Sequence, residues 1–195
     1  MKLNPHFYLA IAFIVLASCT SKSEVPPSSK ADTTQVTPSQ KVVTLDKNFK
    51  IVMGQTIYVP VYSHIYYGDQ QEMFNLAATL SIRNTDLTNS IIITSVRYYN
   101  SDGKLVKQYL ERPIQLGALA STDFFIKKTD TSGGLGANFI VEWVAQTEIS
   151  EPIVEAVMLG TDLHQGISWI SPGRVIKSQN NRQRSSSVPV SVKSY

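Results

Sequence analysis

The sequence predicts an all-β fold: an antiparallel, immunoglobulin-like β-sandwich of about seven or eight strands, with a disordered N-terminal tether and a disordered C-terminal tail. Three observations predict it. Apolar and polar residues alternate with a period of two through much of residues 51–176, as they do in half-buried strands. Clusters of Gly, Pro, Asn, Asp and Ser recur at intervals of roughly 12 residues, the rhythm of strands joined by tight connections. No window longer than two turns shows helical spacing.

The first strand places Ile57, Val59, Val61, Ser63 and Ile65 on one face and Tyr58, Pro60, Tyr62, His64 and Tyr66 on the other. Pro60 has no N–H to give to a ladder, which predicts an edge strand or a bulge. Leu76, Ala78, Leu80 and Ile82 alternate with Thr79, Ser81 and Arg83 in the second. After turn residues 84–90, Ile91 to Tyr99 is β-branched and aromatic, the composition of a strand covered on both faces. Asn100-Ser101-Asp102-Gly103 is a hairpin turn leading into Lys104 to Leu110. Pro113 to Ser121 reads as a loop anchored by Ile114, Leu116 and Leu119, followed by a short strand around Phe124-Phe125-Ile126. A glycine-rich turn precedes Asn138 to Gln146, in which Phe139, Val141, Trp143 and Ala145 share a face and Trp143 packs between sheets. Pro152 to Gly160 and Gly166 to Ile170 complete the set.

Outside this body the composition changes. Leu16-Ala17-Ser18-Cys19 resembles a bacterial lipobox, with Lys2 as the positive region and Phe7 to Leu16 as the apolar core of a signal peptide over residues 1–18. That apolar run is well short of the roughly 20 residues needed to span a bilayer. The resemblance implies acylation of Cys19, an extracytoplasmic location and membrane attachment through acyl chains. Thr20 stands where an inner-membrane retention signal would place Asp, so a source with an outer membrane would carry the protein there, facing the periplasm. Residues 19–50 comprise the acylated cysteine and a linker poor in large apolar side chains, with a reach of about 30 Å as flexible chain. Residues 177–195 form a basic, Ser-rich tail.

Charge narrows the function classes. From Lys41 to Ile176 there are 11 Lys and Arg against 13 Asp and Glu, whereas residues 177–195 hold Lys177, Arg182, Arg184 and Lys193 with no acid. A near-neutral body argues against a nucleic-acid partner, since phosphate binding requires a basic stripe on a folded face. Cys19 is the one cysteine, so the mature domain has no thiol for a disulfide and depends on its apolar core.

Candidate chemistry is sparse. Gly133-Gly134-Leu135-Gly136 lacks the Lys-Ser/Thr and the helix of a phosphate loop and reads as a hairpin that needs positive φ. Once His6 leaves with the signal, His64 and His164 remain. A metal site or envelope enzyme would combine them with carboxylates such as Asp69, Glu72, Glu155 or Asp162, but no His-x-His or His-Glu-x-x-His spacing occurs. No Gly-x-Ser-x-Gly elbow is present. The expectation is therefore a non-catalytic binding or structural module without metal or cofactor. Its candidate binding face is Tyr58, Tyr62, His64 and Tyr66, rings on one side of the strand where neighbouring same-face positions are about 7 Å apart, which suit an envelope protein or glycan.

Four motifs carry a family resemblance: QTIYVPVYSHIYYGD from Gln55 to Asp69, LSIRNTD from Leu80 to Asp86, GGLGANFIVEW from Gly133 to Trp143, and EPIVEAVMLG from Glu151 to Gly160. Together they resemble the bacterial family numbered three-one-two-four in the domain-of-unknown-function series, secreted or lipid-anchored proteins. The resemblance covers about Gln55 to Ile176. It implies one extracytoplasmic domain and no activity.

Overall fold

The computed structural model describes residues 40–46, 48–69, 72–162 and 165–180. Cys19, His6, His164, the signal peptide and residues 181–195 of the tail lie outside the described residues. The described chain is all-β and sandwich-like. Thirteen strands replace the expected seven or eight: β1 (Gln40–Val42), β2 (Met53–Pro60), β3 (His64–Tyr67), β4 (Glu72–Asn75), β5 (Ala77–Arg83), β6 (Ile91–Tyr99), β7 (Leu105–Gln108), β8 (Ile114–Leu116), β9 (Ser121–Ile126), β10 (Asn138–Ala145), β11 (Ile153–Asp162), β12 (Gln165–Pro172) and β13 (Arg174–Asn180). The surplus comes from short strands in segments whose composition reads as loop or linker, such as β1 and β8, and from division of the expected first strand into β2 and β3. β13 likewise extends order to Asn180, past the expected start of the tail at Lys177.

A seven-stranded sheet runs β1-β8-β6-β10-β2-β13, with β7 also paired to β6, and a four-stranded sheet runs β12-β11-β5-β9. β3 and β4 form a separate hairpin. Every pairing is antiparallel. In the large sheet the rows Tyr98–Phe139–Val59, Val96–Val141–Ile57 and Ile93–Trp143–Gln55 cross three strands. They face Ala78, Leu80, Ile82, Phe124, Val154, Ala156 and Met158 of the small sheet within one core. Direct opposition of side chains explains the alternation, because residues paired across antiparallel strands share a face.

Two bulges correct the simple period. The register between β6 and β10 shifts so that Glu142 opposes Ser95 and Trp143 opposes Ile93, which leaves Thr94 as the extra residue. Core positions on β6 therefore change from odd to even; Ile92 on its outer face is buried, but Thr94, Ser95, Arg97 and Tyr99 are only half-buried, so β6 is not covered on both faces throughout. Between β13 and β2, Ile176 is the residue left over.

Two further expectations are overturned. β2 is an interior strand, between β10 and β13, and Pro60 is tolerated because it ends the strand, beyond the last residue that pairs with β13. Leu119 is no anchor: it is 65% exposed, with a φ of 55° in a tight turn. The expected turn at Asn100 to Gly103 is present, with Gly103 at a φ of 73° and the Asn100 Oδ1 accepting the N–H groups of Asp102 and Lys104.

Candidate functional site

The tyrosines expected on one face of one strand are divided by a break at Val61–Ser63. Up to Pro60 the chain belongs to the large sheet, and from His64 it belongs to the hairpin. Tyr58 lies on the outer face of the large sheet, between Ile140 of β10 and Arg174 of β13. Tyr62, in the break, meets the Trp169 ring edge-on at a centroid distance of 6.2 Å. His64 is buried, its ring 5.4 Å from that of Tyr66. The row does not exist as a row because a strand that changes sheets rotates its successive faces.

What survives is the β3–β4 hairpin. Ile65 and Phe74, paired across it, are half-buried and pack onto the core, and a Cβ on Gly160 would fall 2.1 Å from Phe74 Cε1. The absence of a side chain at Gly160 thus lets the hairpin lie down on β11. Tyr66 (47% exposed), Tyr67 (51%) and Met73 (53%) face water, and Tyr62 (37%) lies at its base. Tyr66 and Met73 are directly opposed. These amphipathic side chains supply apolar area with hydroxyl tips, which suits contact with a protein or with sugar rings.

The serine and histidine groups of this region are engaged in architecture. Ser63 Oγ lies 3.3 Å from His64 Nδ1, but it is buried, accepts the Gly134 N–H at 2.8 Å and faces the carbonyls of Thr131 and Gly134. Ser101 Oγ accepts the Gly136 N–H at 2.8 Å and donates to the Gly133 carbonyl. The glycine-rich turn therefore gives the amides of Gly134 and Gly136 to serine hydroxyls, not to an anion. Among the described residues, no group of three or more His, Cys, Asp and Glu is placed to hold a metal ion. His164, the second histidine of the expected metal site, lies outside the described residues.

Sequence reasoning missed a polar knot at the other end of the sandwich. The Trp143 indole N–H donates to Gln55 Oε1 at 3.2 Å, and the Gln55 amide donates to Glu151 at 2.6 Å. Thr85 donates to the Glu151 carbonyl at 2.7 Å. Asn84 donates to the carbonyls of Asn89, Leu116 and Gly117, while its own oxygen accepts the Asp86 N–H. Asp86 accepts backbone N–H groups of Thr88, Asn89 and Ser150, and these bonds hold its carboxyl far below the ordinary range. The available signal was parity: Gln55 is a polar residue on the core-facing face of β2.

All four motifs meet in these contacts. Gln55, Thr85, Trp143 and Glu151 each come from a different motif and form one hydrogen-bonded chain, and Ser63 with Gly134 ties the first motif to the third. Residues 54–176 match the family described as "Protein of unknown function (DUF3124)", and the chain belongs to that family. No curated protein and no solved structure matches it. The four motifs of this chain describe how the domain is built.

Proposed function

We propose that this chain is a lipid-anchored protein of the cell envelope, held by acyl chains on Cys19, and that its domain is a non-catalytic binding or structural module. The exposed aromatic hairpin of Tyr66, Tyr67 and Met73, with Tyr62 at its base, carries the reading. Serine and histidine side chains near it are committed to hydrogen bonds and packing, which supports recognition in preference to turnover. The lipobox supports an extracytoplasmic address. No helix among the described residues is long and apolar enough to cross a membrane. Two acyl chains or more give durable attachment, each buried methylene contributing on the order of 0.8 kcal/mol.

Photo-crosslinking from position 66 in intact cells tests the binding face. A discrete adduct to an envelope protein or glycan is expected at position 66, weakened by Tyr62→Ala and absent from a probe at Ser168 of β12. Equal adducts from both positions would remove the hairpin as a recognition surface.

A further inference from the structure

Charge is divided between the two sheets. The strands of the large sheet carry Lys41, Arg97, Lys107, Arg174 and Lys177 against one acid, Glu142, whereas those of the small sheet carry Arg83 against Asp123, Glu155 and Asp162. The near-neutral total conceals this polarity.

Register gathers four of these five basic residues on one surface; Lys107, paired with the core residue Tyr98, lies on the other face. Arg97, Ile140, Tyr58 and Arg174 form a row across β6, β10, β2 and β13, and Ser95, Glu142, Thr56 and Lys177 form the next. Regular alternation would put Arg174 and Lys177 on opposite faces. The bulge at Ile176 absorbs one residue and brings both to the outer face. Lys41 joins them, since it opposes Gln115, which opposes Ile92 on the same side. Glu142 is neutralised by Arg97 at 2.6 Å, and Lys177 has no ion-pair partner among the described residues.

A depression of about 350 Å³ opens on this face beside Lys177, lined also by Thr56, Thr94, Glu142 and Gln179. With the Glu142 carboxylate paired to Arg97, the hydroxyls, amide and ammonium around a cavity of that size leave room for a phosphate-bearing headgroup. Tyr58 lies half-buried in the row, and Ile176 at the edge is 60% exposed. Aromatic and aliphatic groups beside cations are the side chains that settle at a bilayer surface.

The covalent order of the chain supports the same surface. The segment from Cys19 enters the fold at β1, one edge of the large sheet, and the chain leaves by β13, the other edge, towards Arg182 and Arg184. An acyl anchor about 20 residues before β1 would keep a bilayer at high effective concentration next to this sheet.

We infer that the outer face of the large sheet, with Lys41, Arg97, Arg174 and Lys177, docks on anionic phospholipid headgroups of the membrane that holds the anchor. The inference rests on the anchored reading for the nearness of that membrane. It orients the domain: the large sheet faces the bilayer and the acidic small sheet faces away.

Amine footprinting of the acylated protein tests it, in vesicles of phosphatidylcholine alone or mixed equally with phosphatidylglycerol. Labelling of Lys41 and Lys177 should fall in the anionic vesicles, recover at high salt, and leave Lys127 beside the small sheet unchanged. Arg174→Gln with Lys177→Gln should lower the docked population by about an order of magnitude, read at Lys41, without releasing the protein from the vesicles. Equal Lys41 and Lys177 labelling in both mixtures would overturn the docked face. Failure to float with phosphatidylcholine would overturn the acyl anchor and not the face. Protection by soluble polygalacturonate but not by anionic vesicles would assign the face to polysaccharide and overturn the lipid inference.

Discussion

The phenolic oxygen of Tyr98 occupies the space that a side chain on Gly133 would need: a Cβ built there would fall 1.7 Å from the oxygen and 2.8 Å from Ala137 Cβ. The hydroxyl itself is buried and has no hydrogen-bond partner among the described residues. Burial, with the nearby Asp130 carboxylate, pushes its pKa far above the ordinary value. Gly133→Ala should destabilise by about 2 kcal/mol or more, the scale of an overpacked core. Tyr98→Phe removes an unpaired group that costs roughly 1–3 kcal/mol to bury and should leave stability equal or higher. Urea titration of the two variants checks both signs.

Asp86 should govern the acid limb of stability. Its carboxylate is stabilised in the fold by three backbone N–H groups, so the folded pKa lies below the ordinary 3.8. Its contribution is therefore complete above the unfolded value and is lost as pH falls through that value towards the folded one. Asp86→Asn should lower Tm at neutral pH, and the gap to wild type should narrow from about pH 5 downward. A gap independent of pH would contradict the role given to the charge.

Trp143 is 1% exposed at the centre of a core row and donates to Gln55. Trp143→Ala should cost roughly 3–5 kcal/mol. Trp143→Phe should cost less, retaining most of the ring but leaving the Gln55 carbonyl without its donor. Chemical denaturation with near-ultraviolet dichroism resolves the two.

Cys19→Ala should abolish incorporation of labelled fatty acid and release the protein from the membrane fraction. A variant that kept its label would refute the lipobox.

The all-β class and most strand centres were legible because burial in an antiparallel sheet imprints period two on the sequence. β5, β9 and β10 follow their alternation closely. The tyrosine row was misread because alternation carries no mark of a strand leaving its sheet, as the chain does at Val61–Ser63. Short strands such as β1 and β8 take most of their stability from partners distant in sequence, and three residues are too few to show a period. The aromatic residues of the hairpin were visible, but not which of them face water: Tyr67 and Met73 required the β3–β4 pairing. The knot around Asn84 and Asp86 looked like turn chemistry, since its partners at Leu116, Gly117 and Ser150 belong to other loops.

β13 lies against β2, so that residues as remote in sequence as Tyr58 and Arg174 are immediate neighbours. Gly173, just before it, donates its N–H to Val154 as the chain steps from the small sheet to the large one. A strand near the start of the domain must therefore wait, with one row of backbone groups unpaired, until the final strand is available. Non-local pairing of this kind slows folding, towards milliseconds to seconds for β-sandwiches, because loop closure precedes any gain from contact. A chain released or cleaved before Arg174 would keep that edge open, and pairing of the exposed strand with another copy would then compete with completion of the sheet.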